Sequence, residues 1–135
     1  MNAVKLTETI AVAGQISLEQ VPQIAAAGYK VLVNNRPDGE EVGQPGSAQF
    51  AAAALAAGLD YYHLPVTALD FPGAGVTQMA RLFDDESRPL FAFCRSGTRC
   101  TNLWVATRSG DARRQAAERA RSLGYDLGMA ARVAP

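Results

Sequence analysis

Short apolar runs alternate with alanine-rich or amphipathic stretches along almost the whole chain. The runs "TIAVAG" (9–14), "KVLVNN" (30–35), "YYHLPV" (61–66) and "PLFAFC" (89–94) are rich in Val, Leu, Phe and Tyr and end in turn formers, which predicts strands. Between them lie helical patterns. Ser17 with Gln20 three residues on reads as a capping box, and Gly28 reads as a helix stop. Pro22 is awkward inside that helix and moves the expected start to near Val21, with Pro22 in the first turn. Ser47 is the expected cap of "AQFAAAALAA", which Gly58 ends. A third helix is expected from about Val76 to Asp85, with Met79, Leu82 and Phe83 as its apolar stripe. A fourth follows Cys94, with Leu103, Trp104 and Ala106 inward, and Asp111 is the expected cap of a last helix stopping at Gly124.

Strand and helix alternating at this spacing predict an α/β fold: a single domain, residues 1–135, with a mainly parallel central sheet flanked by helices. That architecture locates the site before any residue is chosen. In open parallel sheets ligands bind outside the carboxyl ends of the strands. Three polar segments follow strands directly, "NNRPDGEE" (34–41), "VTALDFPG" (66–73) and "CRSGTR" (94–99), and they are expected to meet at one edge.

Composition narrows the function classes. A chain of 135 residues, 48% hydrophobic and 19% charged, suits one globular domain with a real core. Its longest apolar run, Phe50–Leu59, is far short of the roughly 20 residues a membrane span needs. The first ten residues, "MNAVKLTETI", lack a signal-peptide pattern, so a cytoplasmic location is expected and no membrane partner. Net charge is zero, but residues 1–94 carry five Lys/Arg against ten Asp/Glu, and residues 95–135 eight against three. Arg113, Arg114, Arg119 and Arg121 fit the solvated face of one helix. With no aromatic residues interleaved to stack bases, no nucleic-acid partner is expected. Two cysteines and one histidine, His63, form no metal-ligand pattern, so neither metal nor cofactor is expected, and His63 reads as a strand residue.

The decisive stretch is "FAFCRSGTRC" (91–100). A loop joining a strand to a helix points backbone N–H groups inward, and the helix N-terminus adds positive partial charge. This field favours thiolate over thiol at Cys94. Gly97 lets the backbone curl, and Arg99 has the planar fork that clamps two oxygens of an anion. The competing reading is a buried thiol beside Phe91 and Phe93 with Arg95 and Arg99 on the surface. Cys, Gly three later and Arg five later at a strand–helix junction favour the anion site.

The segments "VAGQ", "NNRPDGEE", "AAGLDYYHLPV" and "FCRSGTRC" resemble, in order and over nearly the whole chain, the bacterial phosphatase-like domain of beta-lactamase-hydrolase-like proteins. That family is similar in fold to dual-specificity and tyrosine phosphatases, and it also occurs fused to metallo-hydrolase domains linked to persulfide metabolism. The resemblance implies Cys94 as nucleophile, the backbone of Arg95, Ser96, Gly97 and Thr98 as anion cradle, and Arg99 as clamp. It implies Asp70 as the acid that protonates a leaving oxygen, a task suited to a carboxyl whose pKa partial burial raises, while the competing reading is a solvated turn residue beside Pro72 and Gly73. Asp38 competes for that role and Arg36 is a second candidate anion contact, although both also suit a turn beside Pro37 and Gly39. Thr101 can place a hydroxyl near the thiolate. Cys100 can pair reversibly with Cys94, resolve a persulfide there, or simply pack beneath the loop.

Two departures matter. Phe93 stands where tyrosine phosphatases have His, and four residues rather than five separate Cys94 from Arg99. The shorter spacing is similar to rhodanese-type sulfurtransferases, whose cysteine carries a persulfide. Cysteine-dependent phosphoester hydrolysis is the leading expectation, because the resemblance spans more of the chain than the loop; sulfur transfer is the alternative, and a non-catalytic anion- or persulfide-sensing module a third. The expected partner is a small anionic substrate, a phosphoester or a persulfide or thiosulfate, and homo-oligomerisation is left open.

Overall fold

The computed structural model describes residues 2–134. Five strands form one sheet: β1 (Ala3–Lys5), β2 (Ile10–Ala13), β3 (Val31–Asn34), β4 (Asp60–His63) and β5 (Leu90–Phe93), in the spatial order β1-β2-β5-β3-β4. β1 runs antiparallel to β2, and the other pairings are parallel. β1 is not foreshadowed by the apolar pattern, because only one half-buried residue, Val4, lies in its three-residue span. β4 starts one residue earlier than the apolar run and stops at His63, so Leu64–Val66 belong to the loop beyond it.

The helices are α1 (Val21–Ala26), α2 (Ser47–Ala57), α3 (Val76–Asp84), α4 (Thr98–Ala106) and α5 (Gly110–Ser122). Pro22 does sit in the first turn of α1, after a 3-10 turn over Leu18–Gln20 in which the Gln20 side chain accepts the Ser17 N–H. Two expected caps are displaced. Gly46, not Ser47, occupies the N-cap of α2, and the Ser47 N–H is taken by Asp38 Oδ1 at 2.9 Å. Ser109, not Asp111, precedes α5, where Asp111 instead places its charge in the first turn.

Strand residues alternate between two cores. Val12, Val31, Val33, Leu90 and Ala92 face Met79 and Phe83 of α3, Leu103 and Trp104 of α4 and Ala116 of α5. Ala11, Ala13, Leu32, Phe91 and Phe93 face Val21 and Ile24 of α1 and Phe50 and Ala54 of α2. The register sets small against large: Ala11 opposite Phe91 and Ala13 opposite Phe93 leave room for the Phe93 ring to meet Phe50, 4.9 Å between centroids. The same register brings the carboxyl ends of all four parallel strands level, with Ala13, Asn34 and Phe93 in line and His63 beside Asn34. No helix among the described residues is long and apolar enough to cross a membrane. Not all the α5 arginines are solvated: Arg113 is half-buried and donates to the carbonyls of Ala130 and Val133.

Candidate active site

Cys94 follows β5 directly, and its N–H continues the ladder to Ala13 O at 3.2 Å. The chain must then turn sharply into α4. Gly97 makes the turn at φ +87°, a left-handed conformation that favours glycine, and a Cβ there would stand 3.4 Å from the Ala13 backbone. Gly14, across the turn, is constrained by space rather than φ: a Cβ on it would lie 3.1 Å from Arg95 O.

Gly97 N–H donates to Cys94 Sγ at 3.1 Å. Cys94 is 0% exposed, and burial alone would push its thiol up. The Cys100 thiol, donating to Cys94, is the largest opposing influence and the amides add to it, so the Cys94 pKa is drawn down to about 6. Cys100 moves the other way. Complete burial, then its bond and proximity to Cys94, raise it well above the ordinary thiol range, so it remains the donor. Both cysteines are free.

Arg99 lies in the first turn of α4 with its side chain 18% exposed. Its Nη1 and Nη2 grip Glu40 Oε2 and Oε1, each at 3.0 Å, and Nη1 also donates to Val66 O at 3.2 Å. The loops after β3, β4 and β5 therefore do converge on one guanidinium. Glu40 was not singled out from the sequence, yet it is the hub of the site. It also accepts from Arg36 Nε at 2.8 Å. Burial acts to raise its pKa, but the bonds from Arg99 and Arg36 outweigh this and hold the carboxyl below its usual range. The i,i+4 relation of Arg36 and Glu40 was a visible signal; the 59-residue reach to Arg99 was not.

The other candidates fall into three groups. Arg36 is not a turn residue in solvent: it is 1% exposed, bonded to Glu40 and to Gln15 Oε1, with Nη2 left without a partner. Its carbonyl accepts from His63 Nε2 at 2.8 Å. Thr98 is the first residue of α4 and its hydroxyl accepts from Ser96 Oγ at 3.1 Å, while Arg95 points outward, 3.9 Å from Glu41. Thr101 is fully buried and directs its hydroxyl to Gly97 O at 2.9 Å rather than to the sulfur. Asp38 is engaged at the start of α2 and is exposed.

Asp70 departs from expectation. It lies in the correct loop but is exposed, and the N–H of Thr67 (2.6 Å) and then its hydroxyl (2.9 Å) hold the carboxyl below its usual range. Burial does not raise it. Leu69 beside it, and Val42 two residues after Glu40, are almost wholly exposed. Among the described residues no group of three His, Cys, Asp or Glu side chains is placed to hold a metal ion.

Known proteins share this arrangement to different depths. A candidate phosphatase from Neisseria meningitidis superposes with a TM-score of 0.76 at 34% identity, covering 95% of this chain and 92% of that one. Pseudomonas aeruginosa TpbA, solved with phosphotyrosine, has a TM-score of 0.68 at 16% identity over 98% of this chain and 82% of its own, a likeness of fold alone. In sequence, the Agrobacterium fabrum beta-lactamase hydrolase-like protein is 37% identical over 98% of this chain. The chain spans only about a third of that protein, 31% of its length. The family described as "Beta-lactamase hydrolase-like protein, phosphatase-like domain" matches residues 3–111. The match over residues 3–111, with the 37% identity to the Agrobacterium fabrum protein across 98% of the chain, places the chain in that phosphatase-like domain family.

Proposed function

We propose that the protein is a cysteine-dependent phosphoester hydrolase. One observation carries the reading: a sulfur with its pKa drawn to about 6 accepts the Gly97 N–H at 3.1 Å at the N-terminus of α4, whose first turn holds Arg99. The Cys94 thiolate attacks phosphorus, a phosphorus–sulfur bond forms as the phosphorus–oxygen bond breaks, and the leaving oxygen takes a proton. Water then cleaves the phosphocysteine, releasing phosphate and thiolate. Arg99, at present satisfied by Glu40, supplies the fork for two of the phosphoryl oxygens. Asp70 is held ionised by Thr67 and has no proton to give until those two bonds break. An aryl phosphate with a good leaving group needs no such proton and tests the nucleophile by itself.

Sulfur transfer is the second reading, and a specific feature favours it. Only four residues separate Cys94 from Arg99, and in this tight turn the Gly97 amide reaches the sulfur itself. A single added sulfur fits that cradle with less rearrangement than a phosphoryl group. Here the thiolate takes the outer sulfur of thiosulfate, forming a persulfide as sulfite leaves, and no general acid is required.

One experiment separates the two. Purified protein is given an aryl phosphate and, separately, thiosulfate, with Cys94→Ser as control. Phosphate release lost in Cys94→Ser supports hydrolysis, and a mass gain of one sulfur on Cys94 without phosphate release supports transfer. Phosphate release undiminished in Cys94→Ser would sink the nucleophile in both readings.

A further inference from the structure

Arg36 is a buried cation with all but one of its polar groups accounted for. Its N–H is taken by Asn34 Oδ1 at 2.9 Å, its carbonyl accepts from His63 Nε2, and its Nη1 donates to Gln15 Oε1 at 2.8 Å. These ties run to β3, β4 and the loop after β2, and at 1% exposure they fix the residue in place. Along the remaining edge of the guanidinium, Nε donates to Glu40 Oε1 at 2.8 Å, while Nη2 has no partner. Nε–H and Nη2 lie side by side and together match the two oxygens of one carboxylate. Half of that pair is unused because Glu40 turns its other oxygen to Arg99 Nη1, at 3.0 Å.

Glu40 thus serves two arginines with one carboxyl. Both Nη atoms of Arg99 are engaged, Nη2 with Glu40 Oε1 and Nη1 with Glu40 Oε2 and Val66 O. An oxyanion that takes this end of the fork competes directly with the carboxylate. Expelling Glu40 into water would leave Arg36 buried without a counter-charge, which is strongly destabilising. A turn of the carboxyl head avoids this: Oε1 keeps Arg36 Nε, and Oε2 comes round to Arg36 Nη2. The loop backbone stays where it is, since Glu40 N–H is held by Gln44 Oε1 at 3.1 Å and Gln44 Nε2 closes on Pro37 O at 2.8 Å. The Glu40 side chain is 22% exposed, so its head has the room that Arg36 lacks.

We propose that Glu40 is a movable counter-ion: it bridges Arg99 and Arg36 until an oxyanion takes Arg99, and then passes wholly to Arg36 through Nη2. Arg36 is the positioning residue that retains Glu40 nearby, so that both cations are paired before and after the anion binds. The inference deepens the phosphoester reading and rests on Arg99 as the group that holds the phosphoryl oxygens.

Binding of inorganic phosphate, followed by calorimetry, tests this through the sign of one substitution. Glu40→Gln removes a charged competitor from Arg99, and phosphate should bind about tenfold more tightly. Unchanged or weaker binding in this variant, as expected if Glu40 merely orients Arg99, overturns the proposal. Arg36→Lys keeps the buried charge but cannot offer two donors along one edge. It should weaken phosphate binding about fivefold in the wild-type background and have no effect on top of Glu40→Gln. An equal loss in both backgrounds would reduce Arg36 to a structural role and overturn its part. Should either variant fold poorly, the unaltered protein decides. In a crystal grown with phosphate, Glu40 Oε2 should lie within hydrogen-bonding distance of Arg36 Nη2 and away from Arg99 Nη1. Phosphate on Arg99 with Glu40 still spanning both Nη atoms overturns the transfer alone. Phosphate that does not bind, or that binds equally well to Arg99→Lys, overturns the Arg99 clamp and this inference together.

Discussion

The loops after β4 and β5 look alike as sequence: each is polar, each follows a strand, and each carries one residue suited to chemistry. Their physical situations are opposite. Around Cys94 every element is fixed by something outside the loop: the Ala13 carbonyl, the Cys100 thiol beneath, Glu40 and Val66 on Arg99, and Thr101 on Gly97. Around Asp70 the carboxylate is bonded within its own turn, to Thr67, and stands in solvent. One loop is preorganised by the fold. The other is closed on itself around Asp70, and its ties to distant elements lie at Val66, bonded to Asn35 and Arg99, and at Ala68 O, bonded to Arg132. Preorganised donors in a dry site are where large catalytic effects originate, while an exposed carboxylate with its own local partners behaves as an ordinary turn residue.

That contrast is open to direct challenge, beginning where the effect should be greatest. Arg99→Lys keeps the charge but loses the fork that spans both Glu40 oxygens and still reaches Val66. A fall in kcat/KM of about a hundredfold is expected on whichever substrate class turns over. A fall of less than threefold would mean the guanidinium geometry is not used.

Cys100→Ala probes the buried loop from below. It removes the thiol that does most to lower the Cys94 pKa. The lowered folded value means thiolate, and hence rate, is lost as pH falls through about 6 in the wild type. Without the donor this limb should move up by roughly one unit, so activity drops at pH 6–7 and converges with wild type near pH 9. A pH–rate profile with an unmoved limb would show that the loop amides alone set the ionisation.

Asp70→Asn should have the smallest effect. On an aryl phosphate with a good leaving group, kcat should change by less than about threefold, because the ionised carboxylate gives no proton there. On an alkyl phosphate the same variant asks whether the loop moves. A large loss confined to that substrate would show that Asp70 leaves Thr67 and becomes the acid, narrowing the difference between the two loops.

Much of this was legible before the fold was known, and the reason differs by residue. Period-2 strands, Pro22 in a first turn and Gly58 and Gly97 at left-handed positions are local matters of sterics and patterning. Glu40 was passed over because its meaning depends on Arg99, which is near only once β3 and β5 are paired. Ser47 was taken for a cap because it has the right residue type, but Asp38 takes its N–H and leaves the serine hydroxyl to bond Tyr61. For Asp70 the sequence leaves a partly buried acid and a solvated turn residue both open. Exposure is set by what folds over a loop, and nothing in "VTALDFPG" encodes that.

By itself, then, the order of residues determined the alternation of strands and helices, the strand–helix turn after Cys94 and the spacing that places Arg99 within reach of it. These follow from short-range sterics, hydrophobic period and the dipole of one helix. The tertiary structure alone decided that Glu40 joins Arg99 to Arg36 and that Val66 O takes the Arg99 guanidinium. Each of those needs donor and acceptor within about 3 Å, a distance that only packing two distant stretches of chain against one sheet can set.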